Sequence, residues 1–318
     1  MNPHDYFIFV VPPAALLLDL AFADPAWPPH PVRLIGWLLN RLEGLARKIG
    51  PNSRIPGALC LAVMALAVGA AVYWLTHLTL FGPILALYFG FAGLALGSLL
   101  REGKIVLFHL LEGDLEKARE KLGGLVSRDV RGLNKRGLQR GLAESLSENL
   151  NDAFVAPFFY LILAGPVGLW VYKTVSTMDS MWGYKTKEWR DLGWASARAD
   201  DVLAFIPARI TALVMIVVGF ALGLNAKAAL GRVRADAKKC ESPNAGLPMA
   251  AAAWLLEAKM GGEASYFGEV KKKPVLGPPG KAWGHAKLKK LMRLVLFSGL
   301  ASALVLYACG AAGYYWRS

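Results

Sequence analysis

Cysteine is scarce in this chain of 318 residues, and the three present, Cys60, Cys240 and Cys309, lie far apart. Two of them fall in apolar runs and no CxxC pair occurs, so a disulfide framework is not expected. The GxSxG turn that presents a nucleophilic serine and the HExxH helix of zinc hydrolases are missing as well. Gly277-Pro-Pro-Gly280-Lys281 has neither the spacing of a phosphate-binding loop nor the Ser or Thr that follows its lysine. No internal repeat and no low-complexity tract is visible. Acidic residues are few, 23 against 36 Lys and Arg, which leaves a formal charge of +13. In a soluble protein that excess would suggest nucleic acid. No nucleic-acid motif accompanies it here, and in an apolar chain it marks cytoplasmic loops. Basic residues are also missing ahead of the first apolar run, residues 6 to 22. A cleaved signal peptide is therefore not expected, although Ala21-Phe22-Ala23 resembles a peptidase site.

Apolar residues are abundant. They make up 55% of the chain, and the mean hydropathy is +0.39, too high for an ordinary soluble domain. Runs near the roughly 20 residues that cross a bilayer lie at 56–76, 79–100, 153–172, 202–224 and 291–316. Residues 6–22 form a shorter, irregular first segment, followed by a proline-rich loop from Asp24 to Arg33 and an amphipathic basic helix over 34–49. The fold class that follows is all-α: a polytopic helical membrane protein with cytoplasmic helical loops, read as a single membrane-embedded catalytic domain over 1–318. The loops 33–54, 101–140 and 227–290 carry most of the Lys and Arg and are placed in the cytoplasm. Strict alternation would put 173–202 on the opposite side. The Gly165-Pro166 break leaves room for re-entrant helices or a cavity opening inward.

Polar residues concentrate between Glu144 and Arg209. Glu144, Glu148 and Asp152 are spaced four apart, which places three carboxylates on one helical face. Like charges at that spacing repel by a few tenths of a kcal/mol per pair, so a metal ion or a nearby arginine would relieve them. A merely solvated face is the plain alternative. Apolar sequence begins at Ala153, however, and acids at a membrane boundary are more often functional. Other groups have equally plain alternatives. Arg209 can snorkel at a helix end. Asp200 and Asp201 can cap the following helix, and Asp179 can cap or stabilise its turn. Ser127-Arg128-Asp129 can be a turn with an internal ion pair. His30 alone is usually structural, and Tyr184 and Trp194 suit an interfacial belt.

The segments LDLAFADPAWPPHPVRLIG, VSRD, ESLSENLNDAFVAPFFY, TMDSMWGYK, GWASARADDVLAFIPARITAL and SPNAG, in this order, resemble the cobinamide-phosphate synthase family of cobalamin biosynthesis (CbiB/CobD). The match runs from Leu18 to about Gly268. It departs at Asp152-Ala153, where many members carry Asp-Gly. The resemblance implies an integral membrane acid–amine ligase of the cytoplasmic (inner) membrane whose active site faces the cytoplasm. It would join the carboxylate of adenosylcobyric acid to aminopropanol or its phosphate, with ATP and Mg²⁺. A carboxylate is a poor electrophile and needs activation by ATP, and a base must then accept the amine's proton. On this reading Glu148, Asp152, Asp179, Asp201 and His30 are catalytic candidates. Glu148, Asp152, Asp200 and Asp201 are candidate ligands for Mg²⁺, which prefers carboxylate oxygen and retained water. Lys185, Arg198, Arg209 and Arg128 are candidate contacts to phosphate or substrate, and Asn149, Asn244 and Tyr184 would orient substrate. His30, Glu148, Asp152, Asp179, Arg198, Asp201 and Asn244 are expected to share one cavity. The implied partners are a corrinoid, the amine, the lipid bilayer and other cobalamin-assembly enzymes, with no nucleic acid. A transporter lined by these charges, or a membrane scaffold for corrinoid enzymes, is the alternative from another class.

Overall fold

The structure is a computed structural model that describes residues 6–24, 30–50, 53–184, 186–266 and 269–316, and no side chains over 264–270. In chain order, the helices begin with a π-helical turn at Tyr6–Val10 leading into α1 (Val11–Phe22). There follow α2 (Pro31–Ile49), α3 (Ile55–Thr76), α4 (Gly82–Gly93), α5 (Leu96–Glu112), α6 (Leu115–Gly123) and α7 (Lys135–Asn149). A second π turn, Leu150–Val155, joins α7 to α8 (Ala156–Trp182). Then come α9 (Trp194–Leu203), α10 (Phe205–Ala221), α11 (Ala226–Ala237), α12 (Pro243–Leu255), β1 (Met260–Tyr266), β2 (Glu269–Leu276) and α13 (His285–Tyr315).

The molecule is an all-α polytopic membrane protein with one small hairpin. Among the described residues, four helical stretches have the length and apolar composition of a span: Ile55–Thr76, Gly82–Glu112, Lys135–Trp182 and His285–Tyr315. The bent pair Trp194–Leu203 and Phe205–Ala221 makes a fifth if taken as one span, and Tyr6–Phe22 is apolar but shorter. Two expected boundaries shift. The second span does not stop at residue 100 but runs on to Glu112, interrupted where Leu94 is extended. The third begins inside the polar carboxylate segment, because α7 continues through the π turn into α8. The basic region 225–290, expected to hold a helix and loops, also forms the antiparallel hairpin β1–β2. Its register shifts between Met260 and Gly262, and Gly261 and Gly262 both have positive φ. A Cβ on Gly261 would collide with the Pro274 carbonyl, so only glycine lets the bulge close against β2.

The chain divides into two compact units. The first comprises residues 1–95, 156–205 and 305–318. In it α8 packs on α3, α4 and α2. Gly93 meets Leu169 and Gly69 meets Val171, small residues that let apolar helices approach closely. Trp170 Nε1 donates to the Phe89 carbonyl at 2.9 Å. The expected break at Gly165-Pro166 is present: Ala164 and Gly165 leave helical geometry, Gly165 with φ 63° and ψ −160°. Pro166 has no N–H to continue the ladder, so a glycine absorbs the kink.

The second unit comprises residues 96–155 and 206–304. Here α12 packs closely on α11 and also contacts α7, the second π turn and the hairpin. Gly246 on α12 lies against Ala237 and Cys240, which permits that approach. Asp236, at the end of α11, ties the unit together. It accepts hydrogen bonds from Lys239 Nζ at 2.6 Å, Trp254 Nε1 at 2.7 Å and the Gly277 N–H at 2.9 Å.

Candidate functional site

In the second unit a polar cluster forms on α7 and the π turn after it. Glu144 is buried and paired with Arg128 Nη1 at 2.7 Å, the two side chains being 9% and 5% exposed. Glu144 also accepts the Gly261 N–H at 2.7 Å and lies 3.8 Å from Arg140. An arginine thus relieves this carboxylate, one of the two expected solutions. The turn reading of Ser127-Arg128-Asp129 changes accordingly. Arg128 reaches across to α7, while Asp129 accepts the Arg131 N–H at 3.0 Å, so the ion pair is not internal to the turn. Among the described residues, buried Arg128 Nε and Nη2 have no hydrogen-bond partner.

Glu148 lies one turn beyond Glu144. It is near enough to Asp152 and Glu144 to feel both as like charges, and to Lys273 and Arg128 to be offset by them. The π turn Leu150–Val155 explains why Asp152 is not simply the next member of an i,i+4 row. A π turn advances the chain by a wider ring than an α turn and re-aims the residues within it. Asp152 Oδ1 accepts from Asn151 Nδ2 at 2.7 Å. Asn151 is fully buried, and its Oδ1 lies 3.0 Å from Thr211 Oγ1. That side chain therefore fixes Asp152 from behind, which sequence reasoning missed because Asn151 looks like one amide among several. Lys273 was missed too; it is one of three lysines on a strand whose sequence reads as part of a basic polar region. Asn149 is spent locally, its Nδ2 donating to the Ser145 carbonyl at 3.0 Å.

Asn244 sits in the first turn of α12, where Pro243 at the helix start suits the missing N–H. Arg209 Nη1 donates to Asn244 Oδ1 at 3.2 Å. Two candidates are thus joined, and Arg209 does more than snorkel. Cys240, close by, is raised to about 11 by burial, opposed by Lys273 and reinforced by Glu148. Its thiol stays protonated at neutral pH.

The remaining candidates belong to the first unit. Asp179 lies within α8 rather than at a cap, and the Gly183 N–H donates to its carbonyl at 2.7 Å. A Cβ on Gly183 would strike the Asp179 carboxylate. Asp201 is close enough to Asp179 to repel it. Asp200 and Asp201 fall near the C-terminal end of α9, so they do not cap a helix start; Asp200 acts on Tyr160, whose hydroxyl donates to the Leu203 carbonyl at 2.9 Å. Arg198 is exposed on α9. His30 has the plainer role. Its Nδ1 accepts the Val32 N–H at 3.3 Å as the N-cap of α2, and its Nε2 lies 3.6 Å from Asp24. Tyr184 is half-buried just beyond α8, and Lys185 lies outside the described residues. The seven residues expected in one cavity therefore comprise Glu148, Asp152 and Asn244 in one unit and His30, Asp179, Arg198 and Asp201 in the other.

Among the described residues, no group of three or more His, Cys, Asp and Glu could hold a metal ion. The four proposed Mg²⁺ ligands make no such group. Glu148 and Asp152 are the pair whose chemistry fits, because two carboxylates with retained water suffice for Mg²⁺.

Fold and site together define a class: a multi-pass helical membrane protein with a carboxylate pair and a counter-cation at the end of a span. The chain belongs to the CobD/Cbib protein family, whose model matches residues 13–295. It is 40% identical over 304 residues to "Cobalamin biosynthesis protein CobD" of Pelobacter propionicus, covering 93% of this chain and 94% of the relative. The protein of the same name from Geobacter metallireducens is 38% identical over 301 residues, with 92% and 93% covered, and that from Clostridium perfringens is 33% identical over 299 residues, with 91% and 95% covered. No solved structure matches the chain.

Proposed function

We propose that this protein acts in cobalamin biosynthesis as a membrane-bound acid–amine ligase. It would join the carboxylate of (adenosyl)cobyric acid to aminopropanol or its phosphate at the expense of ATP. Full-length similarity to proteins named for that pathway supports the pathway. The single observation that carries the chemistry is the Glu148–Asp152 pair opposed by Lys273 and Arg128. Amide formation needs a group to take the proton of the attacking amine, and Glu148, held beside a second carboxylate, suits that role. Lys273 and the Arg209–Asn244 pair would orient anionic and amide groups of the substrates. Glu148 and Asp152 would hold Mg²⁺, which when bound offsets phosphate charge. The burial of Asn151 keeps Asp152 from rotating away.

The test is purified full-length protein with cobyric acid, ATP, Mg²⁺ and either amine, read out as amide product by mass spectrometry. Product that requires ATP and one of the amines is expected. Absence of product with both amines, from protein that binds the corrinoid, would overturn the ligase reading.

A further inference from the structure

A second feature of the 96–155 and 206–304 unit has no role in the chemistry above. A cavity of about 710 Å³ opens between the start of α7, the bulged beginning of β1 and the loop that follows β2. Its walls carry Arg136, Arg140, Lys259 and Lys281 against one carboxylate, Glu263. The cations come from three separate segments, so the fold, rather than one basic run, gathers them. Two are already positioned. Arg140 Nη2 donates to the Glu263 carbonyl at 2.9 Å, and Lys281 Nζ donates to Glu257 at 2.9 Å. The segments are locked to each other: the Lys259 N–H donates to the Lys281 carbonyl at 2.7 Å, and Trp283 Nε1 donates to the Lys259 carbonyl at 3.0 Å. Gly262 and Gly280, both with positive φ, also line the cavity, which brings backbone within reach of a ligand.

Arg136, Arg140, Glu144 and Glu148 follow one another at four-residue intervals along α7, so they share one face. At 1.5 Å per residue the eight residues from Arg140 to Glu148 span about 12 Å. The basic cavity and the carboxylate pair therefore stand at two ends of one stripe on one helix.

We propose that this cavity binds a polyphosphate anion, and that in the ligase reading, on which this last identification rests, the anion is the triphosphate of the nucleotide. Cations converging from separate segments match an extended run of phosphate oxygens; Glu257 and Glu144 already sit beside Lys281 and Arg140, so Arg136 and Lys259 carry the larger share of the attraction.

The experiment uses the full chain in nanodiscs of neutral phosphatidylcholine. Binding of labelled ATP is followed by equilibrium dialysis, with inorganic tripolyphosphate as competitor, and amide formation is assayed in parallel. Tripolyphosphate is expected to displace ATP. Arg136→Gln and Lys259→Gln are each expected to weaken both ligands on the order of tenfold, while Lys121→Gln, at a half-buried position outside the cavity lining, leaves both unchanged. Arg136→Glu, at an exposed position, should weaken them further with an unaltered thermal transition. Unchanged affinities in all three cavity variants would overturn the proposal, and if the wild type still forms amide with ATP the ligase reading survives that failure. Conversely, tripolyphosphate binding that depends on Arg136 and Lys259 in a protein that forms no amide would uphold the cavity and sink the ligase reading.

Discussion

At the scale of single residues, charge placement decides what each carboxylate can do. Glu144 is fully engaged by Arg128 and the Gly261 N–H, while Glu148 shares its surroundings with Asp152 and Lys273. Glu148→Gln and Asp152→Asn keep size and hydrogen bonding but remove charge. Each should cost on the order of 2–4 kcal/mol of transition-state stabilisation, roughly 30- to 1,000-fold in rate. The check is ATP-dependent amide formation across a Mg²⁺ titration, and wild-type rates with an unmoved Mg²⁺ midpoint would show that Glu148 and Asp152 are not the metal site. Arg128→Ala is a different kind of change. It strands a buried carboxylate, so it should destabilise the fold by about 3–5 kcal/mol, seen as a lower thermal midpoint in detergent. Arg128→Met combined with Glu144→Gln should recover much of that loss. Asp236 gives a pH signature. Burial raises its carboxyl, but the Lys239, Gly277 and Trp254 donors outweigh that and hold it below the ordinary 3.8. A depressed native value means its stabilisation is complete above about 3.8 and is lost as pH falls through the lower native value. Thermal midpoints of the wild type should therefore drop on acidification below that region, and Asp236→Asn should show a lower midpoint at neutral pH with a flatter acid limb.

At the scale of elements, the apolar periodicity made the spans legible, and the Gly165-Pro166 dipeptide made the break in α8 legible. The break carries its own prediction. With φ 63° and ψ −160°, Gly165 occupies backbone space that is nearly glycine-only, so Gly165→Ala should cost about 1–3 kcal/mol. The cost arises from backbone strain, since among the described residues nothing beyond its own chain neighbours and helix backbone lies within 4 Å of the added Cβ, and thermal denaturation of the variant measures it. Less legible was the hairpin. Its β2 strand reads Glu-Val-Lys-Lys-Lys-Pro-Val-Leu, with too little alternation to separate a strand from a basic loop. Its existence depends on Gly261 and on Arg140 reaching the Glu263 carbonyl, contacts distant in sequence. The π turn was hidden for a related reason. Glu144, Glu148 and Asp152 satisfy ideal α spacing, and only packing around Asn151 and Thr211 shows that Asp152 is turned by a wider ring. Spacing singled out the three carboxylates but could not show that Glu144 is already neutralised, because its partner Arg128 lies outside the helix that carries them.

At the scale of the whole molecule, charge asymmetry should set the orientation in the bilayer. The segments 33–54, 101–140 and 227–290 hold 5, 10 and 13 of the 36 Lys and Arg residues. Positive charge is retained on the cytoplasmic side during insertion, and short loops near span ends dominate that effect. Two of these segments build the second unit's basic cavity and supply Arg128 and Lys273 to its carboxylate cluster. A cytoplasmic placement would therefore give both of them access to nucleotide and to soluble amine. The half-buried Lys121 and the exposed Lys272 report on this and lie outside the cavity lining. In a chain whose Cys60, Cys240 and Cys309 are replaced by serine, Lys121→Cys and Lys272→Cys should both resist a membrane-impermeant maleimide added to intact cells. Both should label fully once the membrane is opened or inverted. Labelling of either from outside would place a strongly basic segment across the bilayer against the charge rule. It would also separate the proposed nucleotide site from the compartment that holds nucleotides, and the ligase reading would then need a different entry for ATP.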